Sequence, residues 1–343
     1  MKKIYDIQNM LRNIGTKQVM LYDTLSIYYA IGAKFYPHER FLALLVKDEG
    51  KPVLFLNNLF PCEELDGIEI VRFNDNDDYL GVFCNYLVGG KLAVDKNLPS
   101  RFLLPIMEKH HDVCISSVVE DLRLAKDQDE VQKMRASSRL NDEIMEQVEK
   151  FLHVGVSDKE VEEYIFSLYK KYNVVPSFEP IVAFKNTASD PHASANGQIL
   201  TEEDVCIVDM GLILDDYCSD MTRTFVYNYP KMEEIYRIVL KANLAAESMI
   251  RPGVKFSDID KAARSVIEAA GYGEYFTHRT GHGIGLEVHE PKDVSSANDD
   301  VVREGYCFSI EPGIYLPGVG GVRIEDLVVV TADGCEVLNL YRK

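Results

Sequence analysis

The chain has 343 residues, 46% of them apolar and 27% charged, the composition of a soluble globular protein with one large domain or two ordinary ones. Lys and Arg number 37 against 55 Asp and Glu, for a net charge of −18. Such an acidic surface repels phosphate, so neither nucleic acid nor an anionic membrane is an expected partner.

Seven cysteines (Cys62, Cys84, Cys114, Cys206, Cys218, Cys307 and Cys335) form an odd set without a C-x-x-C pair. They read as reduced thiols of a cytoplasmic protein. Asp6, Gln8 and Asn9 interrupt any apolar leader after the opening Met-Lys-Lys. No apolar run approaches the roughly 20 residues that span a bilayer.

Residues 1–124 alternate helical and extended patterns, which predicts an α/β domain with a mixed sheet. Strands are expected in 19–32, 40–46, 51–56, 68–73 and 91–95, and amphipathic helices in 4–15 and 100–111. The Gly89-Gly90 pair lacks the G-x-G-x-x-G spacing of a dinucleotide site. A second domain, 125–343, begins at the charged stretch Lys126 to Glu130. Its first helix repeats Leu140, Ile144, Val148 and Phe151, with Gly155 expected as its C-cap.

A repeat follows. Gly155-Val156-Ser157-Asp158 opens a helix with Ser157 and Glu160 in capping-box spacing. Gly253-Val254 with Ser257-Asp258 is expected to do the same 98 residues later. After each helix pair the chain turns to glycine-punctuated β patterns, which suggests two similar halves facing each other.

The β segments carry the chemistry. CIVDMGLILDDYCSDMTRTFVY reads as a hairpin turning at Leu214-Asp215-Asp216, which would set Asp209 and Asp220 face to face. FSIEPGIYLPGVGGVRIEDLVVV reads as another, turning through Pro317 to Gly321, with Glu311 and Glu325 equidistant from Gly318. Asp209 to Glu311 is 102 residues, close to the spacing of the helix caps. A carboxylate inside an apolar strand needs a cation. Four of them, at a charge of about −4, would be neutralised by two divalent ions. Between the hairpins THRTGHGIGLEVHEP adds His278, His282 and His289. Imidazole with carboxylates suits Mn²⁺, Co²⁺, Zn²⁺ or Fe²⁺, and the oxygen-rich set favours Mn²⁺.

Asp209, SDMTRTF with Asp220, GHGIGLEVHE, SIEPGIY and GVRIED together resemble the Xaa-Pro dipeptidase (prolidase) and aminopeptidase P family of pita-bread metallopeptidases. The resemblance covers residues 125–343, and more loosely the N-terminal domain. It implies an α/β N-terminal domain of creatinase/prolidase type (1–124). It also implies an α+β C-terminal pita-bread domain (125–343) with pseudo-two-fold duplicated halves.

It implies two metal ions on Asp209, Asp220, His282, Glu311 and Glu325. Asp220 and Glu325 would bridge them, Asp209 would complete one shell, and His282 with Glu311 the other. The nucleophile would be a hydroxide shared by the pair. Glu311 is expected to shuttle the proton, with His289 and His278 as oxyanion donors. Arg323, two residues from Glu325 on one strand face, is expected to hold that bridging carboxylate. His192, His278, His289 and Tyr315 are expected around the substrate.

The expected reaction is hydrolysis of small peptides with proline second, by a dipeptidase, with an aminopeptidase acting on longer peptides as the alternative. A dipeptidase needs a cation for the substrate carboxylate, and Lys292 is the candidate. A different hydrolase such as a creatine amidinohydrolase, or a non-catalytic binding protein of this fold, would show a depleted ligand set. A homodimer is implied, with the N-terminal domain closing over the active-site mouth. The family's glycine before the SD motif is Asp216 here, and Cys218 shares a strand face with Asp220.

Overall fold

The apolar runs of the first third of the chain pair into a single six-stranded sheet. A computed structural model of the protein, which describes residues 2–343, divides after Arg123 into two units. The first contains α1 (Lys2–Asn13), β1 (Gln18–Leu21), α2 (Thr24–Ile31), β2 (Leu42–Lys47), β3 (Val53–Asn57) and β4 (Glu69–Phe73). It continues with α3 (Tyr79–Asn85), β5 (Leu92–Asp95), α4 (Ser100–Lys109), β6 (Val113–Ser116) and α5 (Val118–Leu124). Strand order is β4-β3-β2-β1-β5-β6. Two antiparallel pairs at the centre, β1 with β2 and β2 with β3, are flanked by parallel ones. Phe41, Phe55, Phe73, Phe83 and Phe102 interlock on one face of it.

The extended reading of 19–32 is corrected. Only its first residues are strand; 24–31 form α2, because the Asp23 side chain caps Ser26 N at 2.8 Å and Gly32 closes the helix at φ 73°. An eight-residue apolar stretch carries no period that separates helix from strand, so the caps decide.

Asp95 is buried in this unit. One carboxylate oxygen accepts from Tyr22 N and Asp23 N at 2.6 and 2.8 Å, and the other has no partner. Burial pushes its pKa up to about 7. A carboxyl that is harder to ionise in the folded state stabilises the fold most at low pH, and that stability is lost as pH rises from about 4 towards 7. Wild type minus Asp95→Asn in urea midpoint stability should therefore fall by on the order of 3 kcal/mol between pH 5 and pH 8.5. A pH-independent difference would show that Asp95 ionises freely.

The second unit contains α6 (Gln128–Phe151), α7 (Asp158–Lys171), β7 (Val175–Pro176), β8 (Ile181–Phe184), β9 (Asp204–Met210), β10 (Leu212–Leu214), β11 (Tyr217–Cys218) and β12 (Met221–Tyr227). It then repeats two helices, α8 (Pro230–Met249) and α9 (Phe256–Ala269). The strands β13 (Gly281–Gly283), β14 (Glu290–Val294), β15 (Cys307–Ile310), β16 (Gly313–Leu316), β17 (Gly320–Arg323), β18 (Asp326–Val330) and β19 (Cys335–Val337) follow. The sheets run β12-β9-β8 and β14-β13-β15-β18-β19, with β16-β17 and β11-β10-β7 as smaller ribbons. Val182, Cys206, Val208 and Met210 pack on α6 and α7; Val205, Ile207, Phe308 and Val328 pack on α8 and α9.

The duplication is visible in the backbone. Gly155 N donates to Leu200 O and Leu200 N to Val156 O; Gly253 N donates to Val302 O and Val302 N to Val254 O. The same bridges join Ser157 to Ile199 and Lys255 to Val301. Two cap expectations are corrected. The first helix ends at Phe151 with Leu152 as its C-cap, and Gly155 (φ 97°) lies in the turn beyond. The capping box at Ser157 forms, but its counterpart cap is Lys255 without a side-chain bond, and the Ser257 hydroxyl goes to Asp299 instead.

Candidate active site

The two hairpins deliver their acids by different registers. In the second, Ile310 pairs with Asp326 and Gly313 with Arg323, so Glu311 lies opposite Glu325 as expected from the spacing. In the first, Met210 pairs with Met221 and Asp209 with Thr222, not with Asp220. The reason is a tight turn of two residues, Asp215 and Asp216, both at positive φ, closed by Leu214 and Tyr217. It moves the hairpin centre by one residue and the pairing by two. Gly211 permits the resulting close approach: a Cβ there would meet Ser219 O at 2.1 Å. Asp209 and Asp220 still share a face, now diagonally, because the side-chain period is two.

These strands line a cleft of about 490 Å³ with Asp209, Asp220, His282, Glu311, Glu325, Arg323, His192, His278 and His289 on its walls. His282 Nε2 stands 3.6 Å from Asp220 Oδ2, 3.6 Å from Glu311 Oε1 and 4.0 Å from Glu325 Oε1. Asp220, His282 and Glu325 offer ligand atoms within 4.8 Å of one another. Asp209 stands apart from that trio, drawn to Arg323 Nη2 at 2.7 Å. This corrects the expectation that Arg323 holds Glu325. Arg323 ends β17 and Glu325 lies just beyond it, before β18, but the long guanidinium reaches across to β9.

Glu325 is held instead by Thr222, whose hydroxyl donates to Oε2 at 2.8 Å and accepts from Arg323 Nε at 3.0 Å. Thr222 was not singled out from sequence. Its signal was the register, since it is the residue paired with Asp209.

Tyr315 is buried behind the cleft. Its hydroxyl accepts from Arg323 Nη1 at 2.8 Å and faces His278 Nε2 at 3.0 Å. His278 Nδ1 lies 2.7 Å from Arg279 O, so both ring nitrogens are engaged within the protein. Burial and the Arg323 charge lower its pKa to about 4, which keeps the ring neutral. Tyr315 and His278 thus brace Arg323, and neither the tyrosine hydroxyl nor a free His278 N–H is offered to a ligand.

The electrostatics describe a site built for cations. Burial, then Glu325 and Asp209, drive the Asp220 carboxyl well above the ordinary range. Burial, then Glu311 and Asp209, do the same to Glu325. Glu311 rises to about 7, mainly through burial. Burial lowers His282 to about 3, leaving a neutral ligand. Its Nδ1 lies 3.1 Å from Gly283 O, which keeps the proton there and turns the Nε2 lone pair toward the acids. Asp209 Oδ1, Asp220 Oδ1 and Glu325 Oε1 are buried without a hydrogen-bond partner. Such orphaned oxygens are costly unless a cation takes them. An oxygen-rich set with one imidazole fits a divalent metal.

Residues 132–332 match the metallopeptidase family M24. The chain belongs to that family. M24 enzymes use divalent metal ions, and this M24 chain is a metallopeptidase with the pita-bread fold. It is 38% identical over 357 residues to an uncharacterized peptidase of Staphylococcus epidermidis, with all of both chains covered. Among solved structures it resembles an Xaa-Pro dipeptidase from Bacillus anthracis, with a TM-score of 0.92 at 29% identity over 100% of this chain and 98% of that one. A prolidase from Pyrococcus horikoshii OT3 gives 0.90 at 30% over 100% and 99%. An X-Pro aminopeptidase from Thermotoga maritima MSB8 gives 0.83 at 28% over 96% and 97%.

One further residue differs from expectation. Lys292 does not line the cleft; its amine pairs with Asp300 at 2.6 Å. Besides Arg323, the cation that lines it is Arg279, whose Nη1 is 2.6 Å from Asp293. Cys218 is buried, with its thiol 3.6 Å from Leu286 O, and is a packing residue. No helix among the described residues is long and apolar enough to cross a membrane.

Proposed function

We propose that this M24 peptidase is an Xaa-Pro dipeptidase holding two divalent cations, Mn²⁺ by preference, on Asp209, Asp220, His282, Glu311 and Glu325. The observation that carries the reading is the ring of acids around the neutral His282 Nε2, which stands 3.6 Å from Asp220 Oδ2 and from Glu311 Oε1 and 4.0 Å from Glu325 Oε1, while Asp209, Asp220 and Glu325 each keep one buried carboxylate oxygen without a hydrogen-bond partner. Bound there, the ions would supply Lewis acidity and a nucleophile that ionises near neutral pH.

The remaining work falls to side chains. Glu311, whose burial lets it carry a proton near pH 7, accepts one from the attacking water and returns it to the leaving nitrogen. His289, exposed and edge-on to His282 with ring centroids 4.4 Å apart, and His192 face the cleft and are the donors left for the developing oxyanion. Arg323 positions Asp209. An Xaa-Pro bond has no N–H to grip, so recognition rests on ring shape and on the substrate's ends.

Arg279 supports the dipeptidase over the aminopeptidase. A dipeptide places its terminal carboxylate inside the cleft, where this guanidinium can pair with it. Chelator-stripped protein should hydrolyse Ala-Pro only after Mn²⁺ is returned, and Ala-Pro faster than Ala-Pro-Ala. Arg279→Gln should raise KM for Ala-Pro about tenfold and leave that for the tripeptide nearly unchanged, as expected for one lost charge-assisted contact. Preference for the tripeptide in wild type would sink the dipeptidase reading, and metal-independent turnover would sink the metal site.

A further inference from the structure

The cleft explains the front of the acid-bearing strands. Their back is tied just as densely, and to an unexpected place. We infer that residues 339–343, acting through Arg223 on β12 and Asn243 on α8, form a latch that fixes the backbone at the metal ligands. This rests on the two-cation reading above.

Alternation on β12 sends Thr222 to the cleft and Arg223 to the opposite face. Arg223 is 2% exposed, and all five of its N–H groups are used. Nη1 donates to Thr222 O at 2.9 Å and to Glu325 O at 2.6 Å. Nη2 donates to Asp326 Oδ1 and Tyr341 O at 2.8 Å each, and Nε to Arg342 O at 2.9 Å. One guanidinium therefore joins the backbone of a proposed bridging ligand to the backbone of the 339–343 segment.

Asn243 makes a second tie. It is fully buried, and its Nδ2 donates to Ile310 O at 3.1 Å and Ile324 O at 3.4 Å, the carbonyls immediately before Glu311 and Glu325. Its Oδ1 accepts from Lys343 Nζ at 2.7 Å, which also pairs with Asp326 at 2.9 Å and Glu247 at 2.6 Å. Asn339 makes the third: it accepts from Leu327 N at 2.7 Å and donates to Asp220 O at 3.3 Å. Three separate ties thus reach the backbone at or beside Asp220, Glu311 and Glu325.

The first half of the duplication offers a contrast. Asn141 precedes Asn243 by 102 residues, the spacing of Asp209 to Glu311, and donates to Met210 O at 2.9 Å. Its Oδ1 has no partner. Asn243 in the second half instead accepts from Lys343, in a segment with no regular secondary structure whose Leu340 is 66% exposed. Ligand backbones must hold position to within about 0.5 Å, and losing such support weakens metal binding about 10- to 100-fold.

The test is Mn²⁺ titration of metal-free wild type, a chain shortened after Leu340, and Lys343→Met. Visible spectra of the Co²⁺ forms and urea midpoints of the metal-free forms complete it. Wild type should take up two ions. The shortened chain should bind its weaker ion at least tenfold less tightly, with an altered Co²⁺ spectrum and activity restored by excess metal. Lys343→Met should show at least a threefold loss, and it decides alone if the shortened chain does not fold. Variant isotherms within twofold of wild type would overturn the latch, whatever the urea midpoints do, and leave the peptidase reading intact. A wild type that binds no Mn²⁺ would overturn both.

Discussion

Glu311→Gln should lose about three orders of magnitude in kcat on Ala-Pro while still taking up metal. The substitution keeps the size of the side chain and one carbonyl oxygen for a cation, but removes the negative charge and the capacity to gain and lose a proton. General-base catalysis contributes on the order of 10²- to 10⁴-fold, and here the same group serves the nucleophile and the leaving nitrogen. Glu311 suits that task because burial lifts its pKa to about 7, while Ser309 Oγ at 3.5 Å steadies its orientation. The measurement is kcat at saturating Mn²⁺ beside the metal content of the same sample. A variant retaining a tenth of wild-type turnover with full metal would remove Glu311 from the proton path.

The second large effect concerns stability. Arg323 is buried and bonded to Asp209, Thr222 and Tyr315. Arg323→Met would fill most of its volume but leave Asp209 as a buried, unpaired carboxylate. Removing one partner of a buried ion pair costs about 3–5 kcal/mol. That loss should be read as a lower urea midpoint in the metal-free protein. Metal offers Asp209 another positive partner, so the deficit should shrink by more than half when Mn²⁺ is present. A deficit equal with and without Mn²⁺ would show that Asp209 is not a metal ligand.

A pair with similar burial lies beside the His289 loop. Lys126 and Glu290 meet at 3.0 Å, and Glu290 accepts from Leu286 N at 3.0 Å, which fixes the turn preceding His289. The histidine facing the cleft is therefore oriented by a bond to Lys126, just ahead of α6 and more than 160 residues away in the chain.

How much of this was legible depended on whether a local rule governed the residue. The Glu311 and Glu325 pairing could be read because glycines around 318–321 place that turn where counting from its centre puts it. The Asp209 pairing was two residues off, because Asp215 and Asp216 both adopt positive φ, a conformation associated with Asn or Gly in such turns. The helix at 24–31 was hidden for a related reason, since its caps lie outside an apolar run that suits either period.

By itself the sequence determined the alternation that puts Asp209, Asp220, Glu311 and Glu325 on inward faces, the duplicated spacing, and the family. Those properties are local or additive along the chain. Tertiary structure alone decided that Arg323 serves Asp209, that Thr222 holds Glu325, that His278 is committed to Tyr315, and that Arg279 rather than Lys292 faces the cleft. Each is a choice among partners of similar chemistry about 8 to 114 residues apart, settled by which strands cross and how far a side chain reaches.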